Sequence, residues 1–402
     1  MGLFHLKLNY LRMIHTVHWG PGEKDISDPS DHSTLQWHAD ALNNSRRTHA
    51  AKEFRALEEL VIHSFYARVV AVFLCCLEVS GCLQNAARKY LERSHVEEWM
   101  TAQRNSDHLE LIIDHIEKEL FAPTESVDNN ENIDEEWNNH ARFVQHVLPY
   151  LLLKWSIKRA ELTLLRRALR ECCIMFQARS GKKGNYAREM LRYIQLVDGS
   201  AADTPLADTV LLNALVNTKG QADTWYPFDL HLEYVNLAIR KGLEDKRSSY
   251  DRGRWISENV VNVPFMLQIR HGVEGFFNCR RGTRHKKPDA SIDIWDIANA
   301  LHVASIRLRQ KRTRDTDPRI SLYPAADLWG DGLQALSNNV LSFNNKKSAM
   351  WDDVEHEELD NNFVAEVGPS RITSYPIINI NDDEDWDPIG IFQDDDDETL
   401  NK

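Results

Sequence analysis

The chain has 402 residues, is 42% apolar and carries a formal charge of −13, a length that accommodates two or three average domains and a sizeable core. That charge is local: residues 351–402 hold 17 Asp and Glu against Arg371 and Lys402 alone, a net −15 that leaves residues 1–350 at +2. The acidic average therefore describes a tail, and it does not exclude a nucleic-acid partner for the nearly neutral body.

In chain order, "GLFH" at residues 2–5 reads as a strand running directly into an amphipathic helix, "LKLNYLRMIHTVHWG". A strand needs neighbours for its backbone groups. This opening is therefore either coil or helix misread, or the edge of a larger α/β unit whose first part is missing. In the second case Leu3, Phe4, Leu6, Leu8 and Leu11 would be left as an exposed apolar patch, open to aggregation or to an outside protein partner. Segments 52–79 and 107–120 repeat apolar residues near a 3.6 period and predict helices. Residues 122–139 are polar and acidic, a loop. Residues 140–177 predict about ten helical turns with Pro149 as a kink or boundary, "ARSGKKG" stops that helix, and Asn185 caps the next one. Further helices are predicted over 205–217, 229–244, 255–277, 289–311 and 325–337. Beyond Asn338 the composition predicts a disordered acidic tail. The expected fold is mainly α, with a body over 1–337 and a tail over 338–402.

The six cysteines include two vicinal pairs, Cys75–Cys76 and Cys172–Cys173, and no CxxC. That is a poor disulfide framework, and it predicts reduced thiols in an intracellular compartment. The longest uninterrupted apolar run, "VVAVFLCCL" at 69–77, falls far short of the roughly 20 residues a spanning helix needs, and no signal-peptide pattern is present. The expectation is a soluble intracellular chain with no membrane partner, nuclear rather than cytoplasmic.

"DLHLEYVN" at 229–236 spaces Asp229, Glu233 and Asn236 at i, i+4 and i+7, one face of a helix. Three oxygen-bearing side chains there can hold a divalent cation, cap a neighbouring helix, or meet water, and spacing alone leaves all three open. Leu230, Leu232, Val235, Leu237 and Ile239 would supply the buried side. Pro227 and Asp229 also stand where a helix begins, so Asp229 has a capping reading. His15 and His18 lie three apart with His5 further back, but zinc wants four converging ligands, so core or surface histidines are expected.

The series "GLFHLKLNYLRMIHTVHWG", "NYAREMLRY", "LVNTKG", "DLHLEYVN" and "GTRHKKPD", in this order over roughly residues 2–300, resembles a large uncharacterised family abundant in mushroom-forming fungi. Its members look like transposase-derived proteins with a ribonuclease-H-like core. The resemblance implies a helical late portion of that fold with a helical insertion over about 33–180. Complete members carry a Gly-Asp-Gln motif before the segment resembling "GLFHLKLNY", with one acid of a DDE-type site. The two earlier carboxylates of that site are therefore expected to be missing here. Three carboxylates around two magnesium ions are what strand transfer requires. By resemblance Glu233 is the remnant third carboxylate with Asp229 or Asn236 as supporting metal ligand, and Glu189 in "NYARE" is its rival. The capping or solvated reading of Asp229 and Glu233 and a surface pair of Glu189 with Arg192 stay open beside these. No cofactor is expected for the isolated chain; magnesium belongs to intact relatives.

Two basic clusters carry the remaining signal: Arg280, Arg281, Arg284, Lys286 and Lys287, then Arg307, Arg309, Lys311, Arg312 and Arg314. Such density suits phosphate contact and makes DNA the candidate partner, although cations also gather at solvated helix ends. The acidic tail is expected to fold back over them and compete with nucleic acid. The function expected is a non-catalytic, transposase-derived protein with nucleic-acid binding, the alternative being a helical protein-interaction scaffold.

Overall fold

A computed structural model describes residues 2–20, 32–42, 53–79, 96, 101, 107–121, 135–198, 205–244, 249–276, 290–303 and 325–360. Its organising element is the first one. Residues 2–5 are not a strand: α1 runs Leu3–His18, with Gly2 extended at its N-cap and the first helical bond from Leu6 N–H to Gly2 O at 3.0 Å. Leu3, Phe4, Leu6, Leu8, Tyr10, Leu11, Met13, Ile14 and Val17 are all buried. They lie all round the helix, the pattern of a central core helix. The exposed patch expected of this segment is therefore absent, and with it the surface on which an outside partner was expected. A short apolar tetrapeptide shows no alternation, so strand and buried helix look alike until neighbours are known.

Those neighbours are α3 (Phe54–Val79), α5 (Glu135–Arg159) and α9 (Phe228–Glu244). The 26-residue α3 is long and apolar enough to cross a membrane, which corrects the reading based on its longest uninterrupted run. In the fold it is a core helix: α1, α2 (Leu35–Ala41), α4 (Asp107–Phe121), α5 and α12 (Ser291–Val303) all pack on it. Small residues set the closest of these approaches, Ala67 and Ala71 of α3 meeting Ile297, Ala298 and Leu301 of α12.

Pro149 lies inside α5 without ending it. The break comes at Ala160, which adopts a left-handed φ of 53°. Ala160 N–H donates to Ile157 O at 3.1 Å and Glu161 N–H to Ser156 O at 3.0 Å. This is a Schellman C-cap closed by alanine where glycine is usual, and the absence of glycine made 140–177 read as one helix. Then α6 (Leu162–Gln177) turns back along α5 and carries α7 (Ser180–Asp198) and α13 (Leu328–Asp360). "SGKKG" lies within α7 and does not interrupt the helix before Asn185. A Cβ on Gly332 would stand 2.2 Å from Ile174 O, so this glycine lets α13 lie directly on the α6 backbone. Because α13 continues to Asp360, the disordered tail expected from residue 338 starts too early; Asn339 still donates to Gln177 Oε1 at 2.7 Å.

After α8 (Pro205–Asn213), "LVNTKG" opens a hairpin in which β1 (Leu215–Val216) pairs antiparallel with β2 (Tyr226–Pro227), Leu215 opposite Pro227. Asn217 Oδ1 organises its loop, accepting from Lys219 N–H, Gly220 N–H and the Thr224 hydroxyl at 3.2, 2.9 and 2.9 Å. Gly220 and Asp223 take positive φ. Among the described residues this pair is the only sheet, so the fold is mainly α and a ribonuclease-H-like sheet is not visible in it. Finally α10 (Ser249–Asn259), a 3-10 turn at Val260–Asn262 and α11 (Val263–Phe276) extend from α9.

Candidate functional site

The hairpin delivers α9 to the start of α1. Phe228 N–H donates to Ala214 O at 2.8 Å, fixing where α9 begins. The next side chain, Asp229, reaches across the chain to α1. Its carboxylate accepts from Phe4 N–H at 3.0 Å and from His5 N–H at 3.1 Å, and its Oδ2 lies 3.1 Å from His5 Nδ1. Four backbone N–H groups at a helix start lack partners within the helix, and Asp229 satisfies two of them where the helix dipole also favours an anion. A Cβ on Gly2 would come within 2.0 Å of Asp229 Oδ2, so the approach requires glycine there. Burial raises the Asp229 pKa, but the His5 side chain and the Phe4 and His5 amides outweigh it and hold the carboxyl below its ordinary value.

Of the readings left open by the spacing, Asp229 takes the capping of a neighbouring helix: it caps α1, more than two hundred residues away in sequence, and not its own helix. The rest of the face does not join it. Glu233 is half-buried, Asn236 is exposed, and of the apolar set only Val235 is buried, with Leu232 on the surface. A magnesium pair needs several free carboxylate oxygens converging on it. Both Asp229 oxygens already face amide donors, and among the described residues no three His, Cys, Asp or Glu side chains gather as a metal site. The donor set Asp229, Glu233 and Asn236 does not fit magnesium. Glu189, the rival acid, accepts from Arg192 Nη1 at 2.8 Å in an exposed i,i+3 pair. Asp229→Ala should cost about 1 kcal/mol, the usual loss of a helix N-cap. Hydrogen exchange at the Phe4 and His5 amides should accelerate with it, while protection unchanged from the parent would refute the capping role.

Two polar clusters flank α1, one half-buried and one buried, and of their members sequence reading singled out only His18. In the first, Glu58 on α3 meets Lys7 of α1 at 3.3 Å and Lys154 of α5 at 3.0 Å, with the Tyr150 hydroxyl donating to it. Burial raises the Glu58 pKa, yet the two ammonium groups and Tyr150 bring it down to about 2. In the second, His18 Nε2 and His146 Nδ1 share a hydrogen bond of 2.9 Å. Beside them the fully buried Arg68 bonds His140 Nδ1, donates to Ser33 O at 2.9 Å and stacks 4.4 Å over the Phe143 ring. Burial, then the neighbouring His146, Arg68 and Arg142, keep His18 well below the ordinary imidazole value; burial lowers His146 to about 3 despite the opposing pull of Asp327. Of the three N-terminal histidines, His15 stacks on Trp19 at 4.5 Å and His5 faces Asp229. The one available signal was Arg68 itself, a lone cation at the start of "RVVAVFLCCL". Cys75, Cys76, Cys172 and Cys173 are buried and reduced.

The basic clusters from Arg280 to Lys287 and from Arg307 to Arg314 lie outside the described residues.

Among its described residues this is a helical protein in which the Asp229, Glu58 and Arg68 side chains join one helix to another. Within that class, residues 1–285 match the model of a family of unknown function (DUF6589), and the chain belongs to that family. No curated protein and no solved structure matches it.

Proposed function

We propose that this protein is a transposase-derived helical protein that no longer performs strand transfer and acts by binding nucleic acid through its cation-rich segments. The observation that carries the non-catalytic half is Asp229: the acid that the resemblance offers as a metal ligand accepts from the first free amides of α1 instead. The binding half rests on charge, since about ten cations within 280–314 stand in a body of net +2, the density from which sequence-independent phosphate affinity arises. The second reading, a protein-interaction scaffold, is favoured by the exposed apolar residues of α11.

Filter retention of a short DNA duplex by the full chain separates the two. Under the first reading affinity falls by roughly three orders of magnitude between 50 and 200 mM salt, the counterion-release behaviour of about six phosphate contacts. Joint replacement of Arg280, Arg281, Arg284, Lys286 and Lys287 by Ala should weaken retention and flatten the salt slope. Magnesium- or manganese-dependent nicking should not exceed that of Glu233→Gln. Salt-independent or absent retention would transfer the lead to the scaffold reading, and metal-dependent cleavage abolished in Glu233→Gln would overturn the non-catalytic one.

A further inference from the structure

The helix α11 touches α9 and the 3-10 turn, and much of its circumference is exposed. Phe265, Met266, Ile269 and Val273 are 61%, 62%, 45% and 49% exposed. Their spacing of one, four and eight places them within about 100° of the helix circumference, a single continuous stripe. At these exposures the stripe presents on the order of 400 Å² of apolar surface, the size of the largest patch on a typical monomer and often functional.

That size constrains the occupant. A stable interface between separate molecules buries about 600 Å² or more on each partner, so an apolar stripe of about 400 Å² falls short of holding a second copy or a free partner unaided. A tethered segment faces no such threshold, because a short flexible tether supplies an effective concentration in the millimolar range. The chain has such a segment. "WDPIGIF" at 386–392 concentrates Trp386, Ile389, Ile391 and Phe392 between two acidic runs, "DDED" at 382–385 and "DDDDE" at 394–398. It follows the end of α13 at Asp360 after 25 intervening residues, a contour of up to roughly 80 Å against the roughly 20 Å radius of gyration of a domain of this size. Charge agrees with it: four residues beyond Phe276 the sequence turns to Arg280, Arg281, Arg284, Lys286 and Lys287.

We propose that Trp386–Phe392 docks in cis on the apolar stripe of α11, its acidic flanks lying toward these cations. The tail is then an intramolecular strap held by apolar contact and oriented by charge, and this holds whether or not the protein binds nucleic acid.

The test uses the full-length chain with a photo-crosslinking benzoylphenylalanine at position 389, irradiated at low micromolar concentration without nucleic acid, as an equal mixture of isotopically light and heavy protein. Crosslinks should map to residues 261–276 within single copies. They should fall at least about tenfold in Met266→Asp/Ile269→Asp, the equivalent of about 1.4 kcal/mol and less than the loss of two apolar contacts. Both substituted positions are exposed, so the fold is retained, and α1 hydrogen exchange in that variant checks it. Salt at 1 M should reduce the yield without abolishing it, since charge is screened within about 3 Å and apolar contact is not. Crosslinks landing elsewhere on the body, crosslinks between light and heavy copies, or none at all would each overturn the proposal.

Discussion

Acidification from pH 7 to pH 3 should remove about 6 kcal/mol of stability through Glu58 and His146 alone. Both groups have folded-state pKa values below their unfolded ones, Glu58 about 2 against an ordinary 4.5 and His146 about 3 against 6.5. The unfolded chain therefore binds protons in a range where the folded chain does not, and stability falls as pH falls. His146 acts first, its loss growing from pH 6.5 down to about 3. Glu58 follows, its contribution complete above about 4.5 and lost as pH falls toward 2. At about 1.4 kcal/mol per unit, the full shifts correspond to about 5 and 3 kcal/mol, of which roughly 4 and 2 are gone at pH 3. Native domains have only about 5–15 kcal/mol, so the protein should unfold near pH 3–4. Denaturant titrations at half-unit intervals check this. Glu58→Gln should flatten the profile below pH 4.5 and His146→Gln between 6.5 and 4, whatever either does to stability at pH 7. Midpoints constant from pH 7 to pH 4 would refute the cause assigned.

The helices read most accurately from sequence were those with a one-sided period: 107–120 against Asp107–Phe121 and 229–244 against Phe228–Glu244. What failed did so for identifiable reasons. The helix at Leu3 was hidden because its cap, Asp229, comes from the far end of the family's matched region, and no local pattern reports a contact at that separation. The stop at Ala160 was hidden because alanine gives no glycine signal for a left-handed C-cap. The continuation of α13 to Asp360 was hidden by its Asn- and acid-rich composition, which reads as tail when its packing on α6 is unknown.

The same comparison changes what the shared motifs mean. "GLFHLKLNY" is the central helix, "LVNTKG" the hairpin loop held by Asn217, and "DLHLEYVN" the segment whose first residue caps that helix. The three belong to one structural joint: the hairpin leads into α9, and Asp229 of α9 caps α1. The spacing of Asp229, Glu233 and Asn236 belongs to an amphipathic helix with one inward carboxylate, and physical reasoning from i, i+4, i+7 spacing could not distinguish that from a ligand set.

Replacing Arg68 by Met should cost about 3–5 kcal/mol. The guanidinium is fully buried and bridges three parts of the chain: α3 that carries it, the Ser33 carbonyl ahead of α2, and His140 and Phe143 on α5. Removing one member of a buried charged network is expensive because its former partners stay desolvated. Met fills similar volume, so little of the loss would come from a cavity. Arg68→Lys should recover only a minor part, since one ammonium cannot serve His140 and Ser33 in two directions while lying flat on Phe143. A second readout distinguishes the charge from the packing. After burial, Arg68 is the largest influence holding His38 well below its ordinary pKa, and it also lowers His18. Without it both imidazoles regain protons at higher pH in the folded state, so Arg68→Met should lose less stability than the parent between pH 7 and pH 4. A variant within about 0.5 kcal/mol of the parent at pH 7, the range of ordinary surface changes, would contradict the network's role. A large loss at pH 7 with an unchanged pH slope would assign Arg68 to packing and leave the acid sensitivity to burial alone.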